Sequence, residues 1–513
     1  MRKKNSFLNI LGSLGSYFIA MIFTFVTQAC IVRVLGIEYN GVNGLFTNII
    51  TMLSVAELGI GTTIIFKLYK PLADQDVEKI KSWMDFYKIC YRIVAIFVTI
   101  VGIVIVPLVP IIVGKVHILE NIKVLYLISL LDTVLSYVMT YKRSILYADQ
   151  KNYIINIVHI GYVMFMNITQ IILLLIFKNY YLFLAIKLLY RLLENILINI
   201  YVNKNYSYIN TKTTPISNTE KKDVIDRVKA MFLQKISFVI NKGIDNIVIS
   251  CILGIVSVGL YTNYFTIVSA ITAIIYQIVS SFTASVGNLL TENDNDKNFD
   301  IYKKINLFNS AITAIGVVGF ACCVQPFVDL WVGTEYKLNT FIVFSFAIYI
   351  YTDSIRRTIT VFKEAAGICK EDKWMYVIMA IINLIFSIIL CKKIGISGVI
   401  LGTALSYIYL IIYSYPKYIF MPVFKQDKII YFKENFKYFL LTTFSLLISF
   451  VCSNLLIVPN KVIQVIINAF ISINITLIVF SIFLFNNSEY KYYIGLIKNN
   501  VYKILKKDKF NKI

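Results

Sequence analysis

Charged and amide side chains punctuate runs of sequence that are otherwise apolar enough for a lipid interior. The stretch VRVLGIEYNGVNGLFTNIITMLSVAELGIG (32–61) carries Arg33, Glu38, Asn43, Asn48 and Glu57. Later runs are interrupted by Asp132, Lys142 and Arg143, by Lys187, Arg191 and Glu194, by Lys235, Lys242 and Asp245, and by Asp353, Arg356 and Arg357. Each charge at the centre of a membrane helix costs about 2.5–3.5 kcal/mol on the insertion scale, so each is expected to face a wet cavity or a partner. The chemistry on offer is electrostatic: capture of a charged substrate, coupling to an ion, or mutual neutralisation. Cations outnumber anions in these runs, which favours an anionic substrate.

Structural roles compete with each of these readings. Lys142, Arg143, Arg356 and Arg357 fall near span ends, where basic side chains anchor to headgroups. Lys242 with Asp245, and Arg191 with Glu194, have the i,i+3 spacing of a local ion pair. Arg33 suits the outer end of its helix. Glu57 has no basic neighbour within a turn of its own helix, so its partner must come from another span, or it must be protonated.

Other chemistries lack their residues. There is no G-x-x-x-x-G-K-[ST] and no H-E-x-x-H, so neither ATP-driven transport nor zincin chemistry is supported. The eight cysteines form no C-x-x-C pair, and the two histidines are His117 and His159, so no metal site and no cofactor are expected. The acidic groups NDND (293–296) and Asp74-Gln-Asp76 lie in short loops dense in charge of both signs and read as solvated faces.

The elements that must position these residues are membrane spans. The 513 residues are 58% apolar and 15% charged, more apolar surface than a soluble domain can bury. Runs of roughly 18–25 apolar residues recur along the whole chain, the length needed to cross the hydrocarbon core. Fourteen fit: 8–32, 43–66, 86–110, 121–145, 153–177, 180–200, 230–253, 259–287, 304–328, 340–362, 374–391, 396–415, 437–457 and 463–485. Arg2-Lys3-Lys4 followed by an apolar run resembles a signal peptide, but the run is too long for one and reads as an uncleaved first span. No polar stretch is long enough for a soluble catalytic domain.

The net charge of +22 would suit nucleic acid, but its distribution does not. Lys and Arg collect in every second loop, among them 67–92, 204–229 and 417–437, with the N-terminus and the tail in the same set. This is the positive-inside pattern, and it places both termini in the cytoplasm.

The longest polar linker (203–229) is rich in Ser, Thr, Asn and Lys and suits a connector between halves. VLGIEYNGVNGLFTNII (34–50) aligns with ILGIVSVGLYTNYFTIV (252–268) at a fixed offset of 218 residues, Gly36 to Gly254 and Gly41 to Gly259. Six spans separate the copies, so the repeat is parallel, with a pseudo-two-fold axis along the membrane normal. The expected organisation is an N-terminal six-helix bundle (1–203), a cytoplasmic linker (204–229), a second six-helix bundle (230–420), two further spans (421–485) and a basic tail (486–513).

The run R-V-L-G-I-E-Y-N-G-V-N-G-L-F-T-N-I with L-S-V-A-E-L-G-I-G, then LYKPLADQDVEKIKSWMDFY, resembles the Wzx-type O-antigen and capsule flippases of the multidrug/oligosaccharidyl-lipid/polysaccharide exporter superfamily. DNIVISCILGIVSVGLYTNYFTI (245–267) is similar to the seventh and eighth spans of that family. The resemblance implies two bundles around a central cationic cavity. It also implies transport of oligosaccharide repeat units linked to undecaprenyl pyrophosphate, from the inner to the outer leaflet, by alternating access. By residue type and position Arg33 corresponds to a cavity-facing arginine of the first span, whereas Arg143, Lys242 and Arg357 correspond by location. Asn48 joins them as a polar cavity candidate. Where the first copy of the repeat has Arg33, the second has Cys251, so an arginine role there belongs to one bundle.

The implied partners are the lipid-linked glycan, the bilayer and the polymerase or chain-length machinery, with no nucleic acid. Moving two negative charges outward across an inside-negative membrane releases about 4.6 kcal/mol per 100 mV. An inward-moving cation would add to this, with Glu57 or Asp245 as its candidate carrier. A cation-coupled multidrug exporter of the same superfamily is the first alternative, disfavoured by the surplus of basic residues. A membrane polymerase or glycosyltransferase is the second, disfavoured by short outer loops whose carboxylates are few, Glu120 and Glu335 among them.

Overall fold

The computed structural model describes residues 2–57, 60–211, 214–292, 294–368, 371–496 and 498, and among these the chain is all-α. The helices used below are α1 (Arg2–Val34), α2 (Ile37–Leu53), α3 (Ile60–Ala73), α4 (Val77–Ile105), α5 (Ile122–Thr140), α6 (Arg143–Ala148), α7 (Asn152–Phe177), α8 (Tyr180–Asn205) and α9 (Asn218–Leu253). They continue with α10 (Ile255–Ser280), α11 (Thr283–Leu290), α12 (Asn295–Trp331), α13 (Thr340–Ile355), α14 (Arg357–Ala365), α15 (Lys373–Ile394), α16 (Ile396–Tyr409), α17 (Lys428–Leu455) and α18 (Lys461–Leu484).

Their ends follow local chemistry. Gly36 and Gly254 adopt φ of 106° and 87°, conformations that side chains resist, and each separates one helix from the next. Asp76, Asn121, Asn179, Asp294, Asn339 and Asn460 accept a first-turn N–H at the helix they open, and Ser217 and Glu220 form a capping box on α9. Asp76 and Asp294, the described members of the two acidic loop groups used this way, are therefore helix caps; Asn293 lies outside the described residues.

Ten helices among the described residues are long and apolar enough to cross a membrane. The other four expected spans coincide with α2–α3, α8, α9 and α13–α14. The helices α2 and α13 have 17 and 16 residues and run into α3 and α14 after a break. The helices α8 and α9 are long, but their charged residues interrupt the apolar run. The spans with the weakest apolar signal thus carry most of the interior charge.

Four spans expected to be continuous are broken. The second turns through a 3-10 segment at Ser54–Glu57, the fourth between α5 and α6, the eighth between α10 and α11, and the tenth at Arg356. These are the second and fourth spans of each half, so the breaks repeat the internal symmetry. Polar groups account for them locally: Ser54 Oγ donates to the Ile50 carbonyl (3.0 Å), Ser144 Oγ to Tyr141 (2.6 Å) and Ser281 Oγ to Ile278 (2.6 Å). Beyond α16 the helix winds wider on either side of Pro416, which offers no N–H to the ladder.

Contacts divide the chain into two compact units, Met1–Asn263 with Ser387–Val399, and Tyr264–Phe386 with Ile400–Ile513. In the first, α1 lies along α7, tied by Asn156 Nδ2 to Ser13 Oγ (3.0 Å) and Thr27 Oγ1 to Asn167 Oδ1 (2.7 Å). In the second, Leu307 and Ala314 of α12 pack against Tyr438 and Leu441 of α17 and Val479, Phe480 and Leu484 of α18. The last two spans therefore bury one face against α12.

Candidate functional site

The densest charged cluster joins four helices of the first unit. On α8, residues 187, 191, 194 and 195 share one face, because three- and four-residue steps bring side chains round the same side of a helix. Lys187 Nζ and Arg191 Nε each reach Asp132 of α5 at 3.2 Å. Arg191 Nη1 also donates to Glu194 Oε2 at 3.0 Å, and Arg143 of α6 approaches the same oxygen at 3.2 Å. His159 Nδ1 of α7 lies 3.0 Å from Glu194 Oε1. Arg143 Nη2 donates to Asn195 Oδ1 (3.0 Å), whose amide donates to the Leu135 carbonyl (2.9 Å). Arg191 stacks over Tyr162 at 4.8 Å, and the His159 ring lies against the same tyrosine.

Three permanent cations face two carboxylates here, so cations are in surplus by one before His159 is counted. The Glu194 carboxylate is fully buried, whereas the His159 side chain remains 36% exposed. A buried carboxylate is tolerated only with partners, and Glu194 takes them from three helices. The cluster can therefore hold an anion at its exposed rim while its buried floor ties α5, α6, α7 and α8 together.

Glu57 stands at the break of the second span, half-buried. Its Oε1 accepts a short hydrogen bond from Tyr91 OH of α4, and Tyr87 OH donates to Tyr91 OH at 3.1 Å. The partner missing from its own helix is thus a phenol from another span. Gly61 keeps the approach open, since a Cβ there would stand 3.0 Å from Tyr87 OH.

The two copies of the repeated motif pack on each other reciprocally. A Cβ on Gly41 would lie 2.3 Å from the Ile255 carbonyl oxygen, and one on Gly259 2.4 Å from that of Ile37. Gly41 and Gly259, like Ile37 and Ile255, are related by the same 218-residue offset, so the seam carries the pseudo-two-fold. Asn40 Nδ2 bridges it to the Gly259 carbonyl (3.1 Å) and to Asn263 Oδ1 (3.0 Å), which also accepts from Gln28 Nε2 (2.8 Å). Neighbouring polar residues hold the adjoining loops: Glu38 accepts from His117 N (2.7 Å), Tyr39 donates to Glu120 (2.5 Å), and Asn43 Oδ1 accepts from Tyr180 OH (3.2 Å).

Among the remaining sequence candidates, Arg33 is exposed in the last turn of α1, where a cation complements the helix dipole. Asn48 is half-buried on α2, in the stretch that packs on α9 around Gly243. Asp245 is buried and accepts from Tyr261 OH at 3.2 Å. The side chains of Lys235 and Lys242 lie outside those described, and with them the Lys242–Asp245 pair. Arg357 belongs to the second unit. Its Nη2 donates to Asp353 Oδ2 (2.6 Å) while Arg356 Nη2 donates to Asp353 Oδ1 (2.5 Å). Arg357 stacks over Tyr276 at 4.8 Å and Arg356 over Tyr407 at 4.3 Å. Asn309 Nδ2 reaches the Ser354 and Ile355 carbonyls (3.1 and 3.2 Å) left open by the break.

The candidates therefore occupy several places rather than one. Within the cluster, sequence reasoning paired Arg191 with Glu194 but did not join them to Arg143, Asp132, His159 and Asn195. One signal was available: His159 lies inside an apolar run, and a half-polar ring there needs a partner.

Broken, charge-bearing spans define a repeated all-α membrane fold, and solved structures show the same fold. The lipid II flippase MurJ in an inward closed conformation matches with TM-score 0.64 and 18% identity, over 93% of this chain and 99% of that one. A multidrug resistance MATE family transporter of the MOP superfamily, inward-facing, matches with TM-score 0.59 and 14% identity, over 76% and 92%. A MATE protein in the bent conformation matches with TM-score 0.51 and 14% identity, over 85% and 98%. The chain belongs to the polysaccharide biosynthesis protein family, whose model matches residues 30–339. No curated protein matches it.

Proposed function

We propose that this protein is a flippase that carries oligosaccharide repeat units linked to undecaprenyl pyrophosphate from the inner to the outer leaflet, by alternating access, for surface polysaccharide synthesis. The observation that carries the reading is the net positive cluster of Arg143, Lys187 and Arg191 around Asp132 and Glu194, inside the spans of a polysaccharide biosynthesis family member. A pyrophosphate or an acidic sugar supplies the negative charge that this rim lacks. Arg33, Lys242, Arg357 and Asn48 are further substrate contacts in this proposal.

Glu57 and Asp245 are the proposed coupling groups. Both carboxylates bind tyrosine hydroxyls of neighbouring helices, so exchanging that hydrogen bond for a cation or a proton would alter how those helices pack. The Gly41–Gly259 seam is the proposed gate on the side away from the basic loops. The alternation of those loops supports cytoplasmic termini and a bacterial cell membrane. The polymerase and chain-length machinery are the proposed downstream partners.

The test is complementation of a host depleted of its own polysaccharide flippase. The wild-type chain should restore surface polymer. Arg33→Ala and Arg143→Gln should accumulate cytoplasm-facing lipid-linked units at unchanged protein level. Normal surface polymer in both variants would remove the cationic-site reading.

A further inference from the structure

A second cationic feature of the first unit lies apart from the α5–α8 cluster. A cavity of about 470 Å³ opens between α4 and α5, with Lys88, Arg92 and Lys142 in its wall beside Tyr91, Tyr141 and Asn199. Among the described residues no carboxylate lines it, and Asp85, one turn before Lys88, is exposed outside the lining. Lys142 Nζ is steered by Asn199 and Asn203, the latter at 2.6 Å. The Tyr141 ring lies between Lys88 (6.0 Å) and Lys142 (5.9 Å). Three like charges held together, with no carboxylate among the described lining residues, call for an anion.

The rim shows which kind. Ile96 and Val138 line the same cavity and are 59% and 52% exposed. Beyond them an exposed stripe continues through Ile100 and Ile103 on α4, and another through Leu131 and Leu127 on α5. Tyr91 meets Tyr137 and Gly102 meets Leu130, so the two packed helices run in opposite directions and both stripes lead away from the cations. From Arg92 to Ile103, and from Val138 to Leu127, each stripe covers roughly 16 Å at the helical rise. That is about half of a 30 Å hydrocarbon core, the depth of one leaflet.

We infer that the Lys88–Arg92–Lys142 cavity and the stripes above it form a binding site for one anionic phospholipid. Its phosphodiester meets the cations, and its acyl chains lie along α4 and α5 in the leaflet at the basic ends of the spans. The lipid also touches the Tyr91 ring, whose hydroxyl is bound to Glu57, so its presence bears on the break of the second span.

Native mass spectrometry of the full chain, purified and supplied with equal phosphatidylglycerol and phosphatidylcholine, tests this. Wild type should retain phosphatidylglycerol preferentially. Lys88→Gln and Arg92→Gln should each weaken retention roughly 5-fold, and the double variant roughly 30-fold. The double variant Lys417→Gln/Lys425→Gln, which removes basic charge elsewhere, should leave retention unchanged. Equal retention of the two lipids, full retention by the Lys88/Arg92 double variant, or an equal loss in the Lys417/Lys425 control would overturn the inference. So would displacement of the lipid by inorganic pyrophosphate, which would mark a soluble phosphate as the occupant instead.

Discussion

The fourth span of each half breaks beside two consecutive basic residues, Lys142-Arg143 in one and Arg356-Arg357 in the other, and the two breaks are neutralised differently. In the second unit Asp353, in the last turn of α13, lies three and four residues before its partners, one at the break and one opening α14, and binds both guanidinium groups at 2.5 and 2.6 Å. The arrangement is local and dry, with the Arg356 side chain 3% exposed. In the first unit Arg143 is met by Glu194, a carboxylate of α8, which is shared with α7 and with a second arginine. That arrangement crosses helices and is open along one edge. Equal charge surpluses therefore have unequal consequences: the group around Asp353 clamps one break between consecutive helices, whereas the cross-helix network must rearrange whenever any of its four helices does.

Two predictions set the two breaks against each other, and two more follow at the glycine seam and at the linker end of α9. The largest stability effect is expected from Asp353→Asn, which leaves two guanidinium groups in a dry site without a carboxylate. Removal of one partner from a buried pair costs about 3–5 kcal/mol, read from thermal unfolding of the purified protein. Glu194→Gln should cost less, about 1–3 kcal/mol, because water reaches Arg143, Arg191 and His159. Its transport per folded molecule should nevertheless fall far below wild type, measured as flipped lipid-linked glycan. A transport loss no greater than the stability loss would erase the contrast between the breaks.

The glycine seam is the symmetric counterpart. Gly41→Ala and Gly259→Ala each drive a methyl group onto a carbonyl oxygen of the other copy, at a cost of about 1–3 kcal/mol. Their melting shifts should be similar, and a large inequality would show that the pseudo-two-fold is geometric but not energetic.

The smallest effect is expected at Glu220, in the linker end of α9 outside the membrane. Its hydrogen bond from Lys79, with that from Ser217, holds the carboxyl below its ordinary value. The folded value is therefore the depressed one. The contribution is present above the ordinary carboxylate range and is lost as pH falls through the folded value. Glu220→Gln should change stability by less than about 1 kcal/mol and should abolish that acid-range slope in pH-dependent melting.

Much of this architecture was legible in the sequence. Hydropathy located the helices, since it follows from burial terms that add residue by residue. The 218-residue offset was legible too, because Gly36, Gly41, Gly254 and Gly259 stand where side chains do not fit. The breaks were harder to foresee: a serine or a charge inside an apolar run is compatible with a continuous helix until a neighbour satisfies the freed carbonyls, as Asn309 does for Ser354 and Ile355.

The partners of the charges were not legible. Lys187, Arg191 and Glu194 already shared a face at helical spacing, but Asp132, Arg143 and His159 come from three other helices. Glu57 looked unprovided for because its donor, Tyr91, is 34 residues away on a different span. By itself the sequence determined which segments are helical, where the chain must turn and how much charge enters the spans, all matters of local propensity and summed transfer energy. Which cation meets which carboxylate was decided by tertiary packing alone, because a contact between side chains on different helices depends on the rotation and depth of each helix, which packing sets and no single segment encodes.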